Sequence, residues 1–287
     1  FSTTEILPLR DEFPKDIKEA NEVAFGTARQ VYDIILDELK KAKSLMPEKY
    51  LSGIHHPSYQ YGRANRFAAA MLLMRVYFLL GEPDLALEEA DYIISNSPYR
   101  LSQDPLEAWT HSDPAQGNEV IWYALYYDNI MNSVAKVFTS MTKCHYTAKG
   151  GGRDAGWSRC PWNQFCLSHW ASKYLGWIDD QLNVTPEAKR DKRYTQLYYR
   201  LEGNNGDTQA DPKIYETQYA HIKKPYIWGD KYFRGADGQY TNVPVMRLAE
   251  VYLTRSYLRF KKNNLQGALA DLNMVRQRAG LAIADLR

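Results

Sequence analysis

The sequence predicts a mainly α-helical protein, in which helix hairpins like those of tetratricopeptide repeats (TPRs) bracket a large loop-rich insert with short strands. Three observations support this fold class. Apolar residues recur at three-to-four spacing in two segments, over about residues 25–98 and 244–281. Both segments fit the offsets of a TPR. The stretch between them, about residues 99–243, alternates between short apolar runs and glycine-rich or polar runs, which indicates an irregular insert.

The N-terminal part is predicted to contain an extended lead-in and one helix. Residues 1–22 are polar and contain Pro8 and Pro14, so we expect them to be extended. Residues 27–45 are predicted to be a helix that ends before Pro47, with an apolar face that packs inside. The residues of that face are Val31, Ile34, Ile35, Leu36 and Leu39.

The first clear hairpin is predicted over residues 65–98. A helix over residues 68–80 ends at Gly81, and Pro83 is typical of the first turn of the partner helix. Gly81, Ala86 and Pro98 lie at the TPR offsets of a small residue at the turn, an alanine and a proline.

Residues 244–281 are predicted to form the second hairpin, two helices joined by a tight polar turn. Asn264 is placed to cap the second helix, and Gly280 tolerates the left-handed conformation that ends it. Ala268, Leu272 and Val275 of the second helix match Ala86, Ala90 and Ile93 of the first hairpin. We read Arg276 and Arg278 as structural residues, bonded to neighbouring carbonyl groups or acids.

Within the insert, residues 118–126 and 226–232 favour strands, and a helix is predicted near residues 163–177. Trp170 and Trp177 are seven positions apart, so on such a helix they share one face, which we assign to the core. Four glycines in seven positions, 150–156, predict an exposed loop. Together with the hairpins, the insert is expected to make a single domain over residues 1–287.

Composition excludes several classes of function. With 45% apolar and 24% charged residues and a formal net charge of +2, the chain resembles a globular protein and lacks a nucleic-acid footprint. Its three cysteines form no CxxC pattern, and its paired carboxylates are sequence neighbours that diverge on a helix. We therefore expect no catalytic residue, no metal site and no cofactor.

The glycine-rich loop is the best candidate for a binding site. Aromatic rings can stack on the apolar C–H faces of a sugar, while Arg, Asp and Asn hold its hydroxyls. A further tryptophan lies on the predicted strand of residues 226–232. The predicted ligand-binding residues are Tyr146, Arg153, Asp154, Trp157, Trp162, Asn163 and Trp228. The alternative is that Trp157 and Trp162 pin the loop to the body, and that Trp228 packs in the core.

The final hairpin resembles the SusD/RagB family. The residues that carry the resemblance are Pro-Val-Met-Arg-Leu-Ala-Glu-Val-Tyr-Leu at 244–253 and Leu-Asn-Met-Val-Arg-Gln-Arg-Ala-Gly-Leu at 272–281. Weaker matches are Glu119-Val120-Ile121, Asp191-Lys192-Arg193 and Lys231-Tyr232. The resemblance begins near residue 25 and lacks both family termini, so we expect a fragment of a longer protein.

That resemblance implies a SusD-like fold and a non-catalytic function. Family members are surface lipoproteins of the outer membrane that capture nutrients, mostly glycans, for a SusC-like TonB-dependent transporter. The implied partners are a glycan and this transporter, with membrane attachment only through a lipid anchor that the chain lacks. Two alternatives stay open: a RagB-like receptor for peptides, and a TPR-like scaffold whose helical face binds another protein.

Overall fold

The structure is a computed structural model, and it divides the chain into two compact units. The first comprises Phe1–Tyr50 and Ala64–Ser97, and the second comprises Leu51–Arg63 and Pro98–Arg287. The described residues are 4, 7–9, 13–51, 53–54, 62–110, 118–125, 166–201, 226–229, 231 and 242–285. Helices dominate them, which confirms the mainly α fold class. The expectation of a single domain over residues 1–287 stays a prediction.

Among its described residues, the first unit contains two short strands and four helices. They are β1 (Leu7–Leu9), α1 (Ile17–Asn21), β2 (Ala24–Gly26), α2 (Ala28–Leu45), α3 (Arg66–Leu80) and α4 (Pro83–Asn96). The strands pair antiparallel, with Leu7 opposite Gly26. The prediction of an extended lead-in over residues 1–22 was wrong in part, because residues 17–21 form the helix α1. The side chain of Asp16 starts α1, because it accepts a hydrogen bond from the backbone N–H of Glu19.

Helix α2 confirms the predicted helix over residues 27–45, with one correction to its buried face. It begins at a capping box between Thr27 and Gln30. Ile34 and Ile35, predicted to pack inside, are 48% and 37% exposed. Ile34 lies about 140° around the helix from the half-buried Leu39, so it points away from that packed side.

Helices α3 and α4 confirm the first hairpin. The side chain of Asn65 caps α3, and Gly81 ends it in the left-handed conformation at φ 75°. Three α4 residues are fully buried, and they are the ones that the TPR frame singled out: Ala86, Ala90 and Ile93. Such small and branched residues allow two antiparallel helices to pack closely.

The second unit contains six helices and two sheets among its described residues. The helices are α5 (Glu107–Thr110), α6 (His169–Tyr174), α7 (Pro186–Arg190), α8 (Lys192–Leu197), α9 (Leu248–Lys261) and α10 (Leu265–Arg278). The strands are β3 (Val120–Ala124), β4 (Cys166–Leu167), β5 (Tyr198–Leu201), β6 (Tyr226–Gly229) and β7 (Val243–Arg247). One sheet pairs β3 with β7, the other has the order β4-β6-β5, and all pairs are antiparallel.

Strand β7 corrects the predicted start of the final hairpin. Residues 244–247 were assigned to its first helix, but they pair with β3, with Tyr123 opposite Pro244 and Val120 opposite Arg247. Pro244 has no N–H to donate inside a helix, and its valine neighbours favour an extended backbone. The helix therefore begins only at Leu248. Strand β3 itself confirms the predicted strand of residues 118–126.

Helices α9 and α10 confirm the hairpin that follows. Asn264 caps α10 by accepting from the N–H of Gly267, and the hydroxyl of Ser256 donates to the carbonyl of Ala268 at 2.7 Å. After α10, Gly280 adopts φ 73°, and a Cβ on it would lie 2.9 Å from the carbonyl oxygen of Arg190. Glycine is required there for its conformation and for the close approach of α7.

Candidate functional site

Most of the predicted ligand-binding residues lie outside the described part of the chain. This holds for six of them: Tyr146, Arg153, Asp154, Trp157, Trp162 and Asn163. The seventh, Trp228, lies in β6, so the predicted strand there is confirmed. Its backbone is opposite Cys166 of β4 on one side and Tyr199 of β5 on the other. A ligand-binding role for all seven residues stays a prediction.

The three-stranded sheet is where the glycine-rich segment joins the described chain. Cys166 is three positions after Asn163, and it is the residue that pairs with Trp228. A buried cluster of Trp177, Ile178, Ala188 and Ile227 supports this sheet. The described chain thus resumes, three positions after Asn163, in a packed part of the second unit.

The helix predicted near residues 163–177 is shorter than expected. Cys166–Leu167 is a strand, and α6 begins only at His169, after Ser168, whose hydroxyl accepts from the N–H of Ala171. The helix ends at Tyr174, and Gly176 turns the chain with φ 72°. Glycine at a positive φ is a common way to end a helix.

This early end overturns the assignment of Trp170 to the core. Trp177 is buried, at 2% exposure, but Trp170 is 73% exposed. Because the chain turns at Gly176, Trp177 no longer continues the face of α6 on which Trp170 lies. The assignment of Trp177 to the core is confirmed.

An exposed pair of stacked rings on α6 was missed at the sequence level. The rings of Trp170 and Tyr174 have centroids 5.5 Å apart and planes within 13° of each other, and Tyr174 is 80% exposed. The four-residue spacing of two aromatic residues ahead of a glycine was the signal available in the sequence. Beside them, the ammonium of Lys173 lies 3.0 Å from a carboxylate oxygen of Asp180.

Asp191, in the stretch that resembles the family's Asp-x-Arg, has a structural role. Its buried carboxylate accepts from the indole N–H of Trp177 at 2.9 Å and from Nη2 of Arg193 at 2.6 Å. Burial alone would raise the pKa of Asp191, but the hydrogen bonds from Arg193 and Trp177 outweigh burial, so the pKa is lowered. The ionised form therefore holds this part of the unit together.

Glu119 is the centre of a second buried charge network. It is fully buried, and its Oε1 lies 3.4 Å from Nη1 of Arg247. Its Oε2 accepts from Arg278 and from the backbone N–H of Ser102. Arg276 donates to a backbone carbonyl oxygen 3.0 Å away. The structural interpretation of Arg276 and Arg278 is confirmed.

Lys231 and Arg247 both contact the buried ring of Trp109. The Lys231 ammonium lies 4.1 Å from the ring centroid, and the Arg247 guanidinium carbon lies 4.9 Å from it. Burial and, to a smaller extent, the charge of Arg247 lower the pKa of Lys231 to about 8. These contacts link β7 and Lys231 to α5, which indicates packing rather than ligand binding.

An apolar groove runs between α9 and α10. Its volume is about 540 Å³, and its lining includes Leu253, Tyr257, Phe260, Leu269 and Leu272. Leu253, Tyr257 and Phe260 are 43%, 47% and 58% exposed. A groove of this size is large enough for side chains of another protein segment.

Across the described residues, no three His, Cys, Asp or Glu side chains cluster to hold a metal ion. Among the described helices, none has the length and apolar composition that a membrane span needs.

Similarity to a known protein family identifies the relatives of this chain. A sequence model of the SusD family matches residues 118–286, which is more than half of the chain. The chain belongs to the SusD family. The matched range extends from before β3 to beyond α10, so it includes Glu119 with its two arginine partners, the network of Asp191 and the exposed rings of α6. No curated protein matches the sequence.

Solved structures of other SusD-like proteins share the fold. A surface glycan-binding protein A from Bacteroides uniformis has a TM-score of 0.66 and 21% identity, over 97% of this chain and 55% of its own. A SusD superfamily protein from Bacteroides thetaiotaomicron gives 0.66 and 19%, over 96% and 52%. A laminarin-binding SusD-like protein gives 0.61 and 19%, over 97% and 59%. This SusD-family chain thus spans a little more than half the length of these proteins.

Proposed function

We propose that this SusD-family protein binds oligosaccharides or polysaccharides at the cell surface without modifying them, and delivers them to a SusC-like TonB-dependent transporter. A lipid anchor would hold the protein at the outer membrane. The observation that carries the proposal is family membership combined with a fold shared by a surface glycan-binding protein and a laminarin-binding protein.

The proposed binding residues are those of the glycine-rich segment together with Trp228. Indole and phenol rings supply flat apolar surfaces for the C–H faces of sugar rings, and Arg153, Asp154 and Asn163 supply partners for hydroxyls. The pairing of Trp228 with Cys166, three positions after Asn163, supports a shared site. Affinity per site should be modest, because polar groups lose much of their hydrogen-bond gain to desolvation.

Titration calorimetry tests this function. The ligands are laminarin, amylopectin, galactomannan, xylan, polygalacturonate and a mixture of short peptides. We expect one or more polysaccharides to bind, and Trp157→Ala or Trp162→Ala to weaken binding by about tenfold or more, the loss of roughly one ring stack. Tyr257→Ala removes a half-exposed ring on α9 and is the matched control. Absence of polysaccharide binding, or variants that bind as well as the parent, would contradict the proposal.

A peptide receptor is the first alternative, and the same titration separates it. The aromatic residues of the glycine-rich segment would then hold peptide side chains, and Arg153, Asp154 and Asn163 would contact backbone amides of the peptide. Binding of peptides alone, lost with Trp157→Ala or Trp162→Ala, would favour this alternative over a glycan receptor.

The apolar groove between α9 and α10 favours the other alternative, a helical scaffold for another protein. Its exposed rings are suited to an amphipathic helix, which presents apolar residues at three-to-four spacing. Replacement of Phe260 by Asp would then abolish capture of that protein and leave saccharide titrations unchanged. A Phe260→Asp variant that loses saccharide binding would contradict this separation of the two surfaces.

A further inference from the structure

The exposed rings of α6 form a stacked aromatic pair, each of whose outer parts is open to solvent. Trp170 is 73% and Tyr174 is 80% exposed, and the two rings are stacked within 13° of parallel. Exposure of two large rings forgoes the favourable burial of apolar surface that such side chains usually gain on folding. Contiguous exposed apolar area of this kind commonly marks a binding surface.

The helix holds both rings in place before any ligand arrives. Residues four positions apart lie one above the other on a helix, and the 5.5 Å centroid distance shows that these rings contact. Ser168 caps the start of the helix and Gly176 fixes its end. A surface that is already ordered loses little side-chain entropy when a ligand stacks on it.

Polar groups beside the rings suit a neutral polyol. Lys173 lies on the same helix face as the rings, three positions after Trp170, and its ammonium pairs with the carboxylate of Asp180 at 3.0 Å. The Asp180 side chain is 86% exposed, so its oxygens can accept from hydroxyls. The Lys173 ammonium also acts on the neighbouring carboxylate of Asp179, so this surface has no excess of positive charge that would attract an acidic ligand, while it still offers donors and acceptors to a neutral one.

The rings also lie close in the chain to the proposed glycan site. Only Ser168 separates α6 from β4, and β4 pairs with the strand that carries Trp228. Trp170 is seven positions after Asn163, where the predicted ligand-binding segment ends. A saccharide of several units bound at that segment could therefore extend along α6.

We propose that Trp170 and Tyr174, with Lys173 and Asp180, form a further subsite that stacks on the rings of a neutral pyranose saccharide. This subsite rests on the proposed glycan-binding function and extends it to a second group of residues. Its occupant is a saccharide rather than a protein, because the paired charges beside the rings match hydroxyls that both donate and accept.

Calorimetry on the whole chain tests the subsite with amylopectin, galactomannan and xylan as neutral probes. Trp170→Ala and Tyr174→Ala should each weaken the binding of long saccharides by about tenfold, while Trp170→Phe keeps most of the affinity. Tyr257→Ala, on α9, is the control and should bind like the parent. Both rings are exposed, so unchanged thermal unfolding will show that the variants fold.

Hydroxyl-radical footprinting supplies a second readout of the same rings. Oxidation of Trp170 and Tyr174 should fall when the neutral saccharide is present and should not change with protein concentration. Oxidation that falls with protein concentration alone would overturn the subsite in favour of self-association. Weaker binding in Trp157→Ala with no change in Trp170→Ala would overturn the subsite and leave the proposed function intact. A parent chain that binds none of these polysaccharides would contradict both.

Discussion

Replacement of Glu119 by Gln should destabilise the second unit strongly. Glu119 is fully buried, and its carboxylate contacts Arg247, Arg278 and the backbone N–H of Ser102. Glutamine has nearly the same shape, but it carries no charge, and its NH₂ group would face guanidinium donors. The variant therefore leaves two cations without their shared counter-charge.

The expected magnitude follows from burial. Loss of one partner from a buried ion pair costs about 3–5 kcal/mol, because the remaining charge is desolvated and uncompensated. The side chain of Arg278 is 9% exposed, whereas that of Arg247 is 29% exposed and regains some hydration. We therefore expect a loss near the lower limit, about 3 kcal/mol.

Urea denaturation followed by tryptophan fluorescence measures this loss in the correct unit. All seven tryptophans lie within Pro98–Arg287, so the signal reports the second unit alone. With a slope of roughly 2 kcal/mol per molar urea, the midpoint should fall by about 1.5 M. Glu187→Gln is the matched control, since its ion pair with Arg190 is exposed and should contribute less than about 0.5 kcal/mol. Equal midpoints for the Glu119→Gln and Glu187→Gln variants would refute the reasoning.

Three more predictions use the same fluorescence assay. Asp191→Asn should destabilise the second unit at neutral pH. Because folding lowers the pKa of Asp191, the difference in unfolding free energy between parent and variant should persist above about pH 4 and vanish as the pH falls further. Persistence of the full difference at pH 2 would contradict that linkage. Folding lowers the pKa of Lys231 from 10.5 to about 8, so the unfolded chain binds more protons than the folded chain between these pH values. The stability of the parent should therefore rise by about 3 kcal/mol between pH 8 and pH 10.5, and Lys231→Met should remove this rise. Parallel curves of stability against pH for the parent and the variant would rule this out. Gly280→Ala should cost more than Gly176→Ala, because both positions have a positive φ of 72–73° but only the Cβ at 280 meets a backbone oxygen at 2.9 Å. The left-handed conformation alone costs about 1–2 kcal/mol, so equal losses would show that α7 yields to the added methyl group.

The helix hairpins were predictable because their signals are local. Asn65 and Asn264 cap helices three residues upstream of the N–H groups they accept from, and Gly81 ends a helix by its own conformation. The TPR offsets selected Ala86, Ala90 and Ile93, all of which are fully buried. Each of these features depends on a few neighbouring residues, which a sequence displays directly.

Other features depend on distant residues, and these were missed. Arg278 reaches Glu119 across 159 positions, and nothing in either segment identifies the other as its partner. Strand β7 exists because β3 provides a pairing edge, although Pro244 was a local sign against a helix. The predicted apolar face of α2 was too wide, since burial of Ile34 depends on where neighbouring helices pack.

The exposed position of Trp170 depends on the length of one helix. A helix of residues 163–177 would place Trp170 and Trp177 on one face, whereas α6 ends at Tyr174 and separates them. Gly176 was the local sign that the helix ends early, and this sign outweighs the seven-residue spacing of the two tryptophans. Of the seven predicted ligand-binding residues, Trp228 is described through its backbone in β6, and the other six lie outside the described residues.

Hydrogen–deuterium exchange in the presence of a bound polysaccharide tests the central claim most directly, because it locates the contact without any substitution. The central claim is that the insert recognises glycans and that the final helix hairpin, α9 with α10, does not contact them. We predict slower exchange in peptides that cover residues 146–174 and 226–229, with no change across α9 and α10. Protection confined to α9 and α10, with residues 146–174 unchanged, would contradict it.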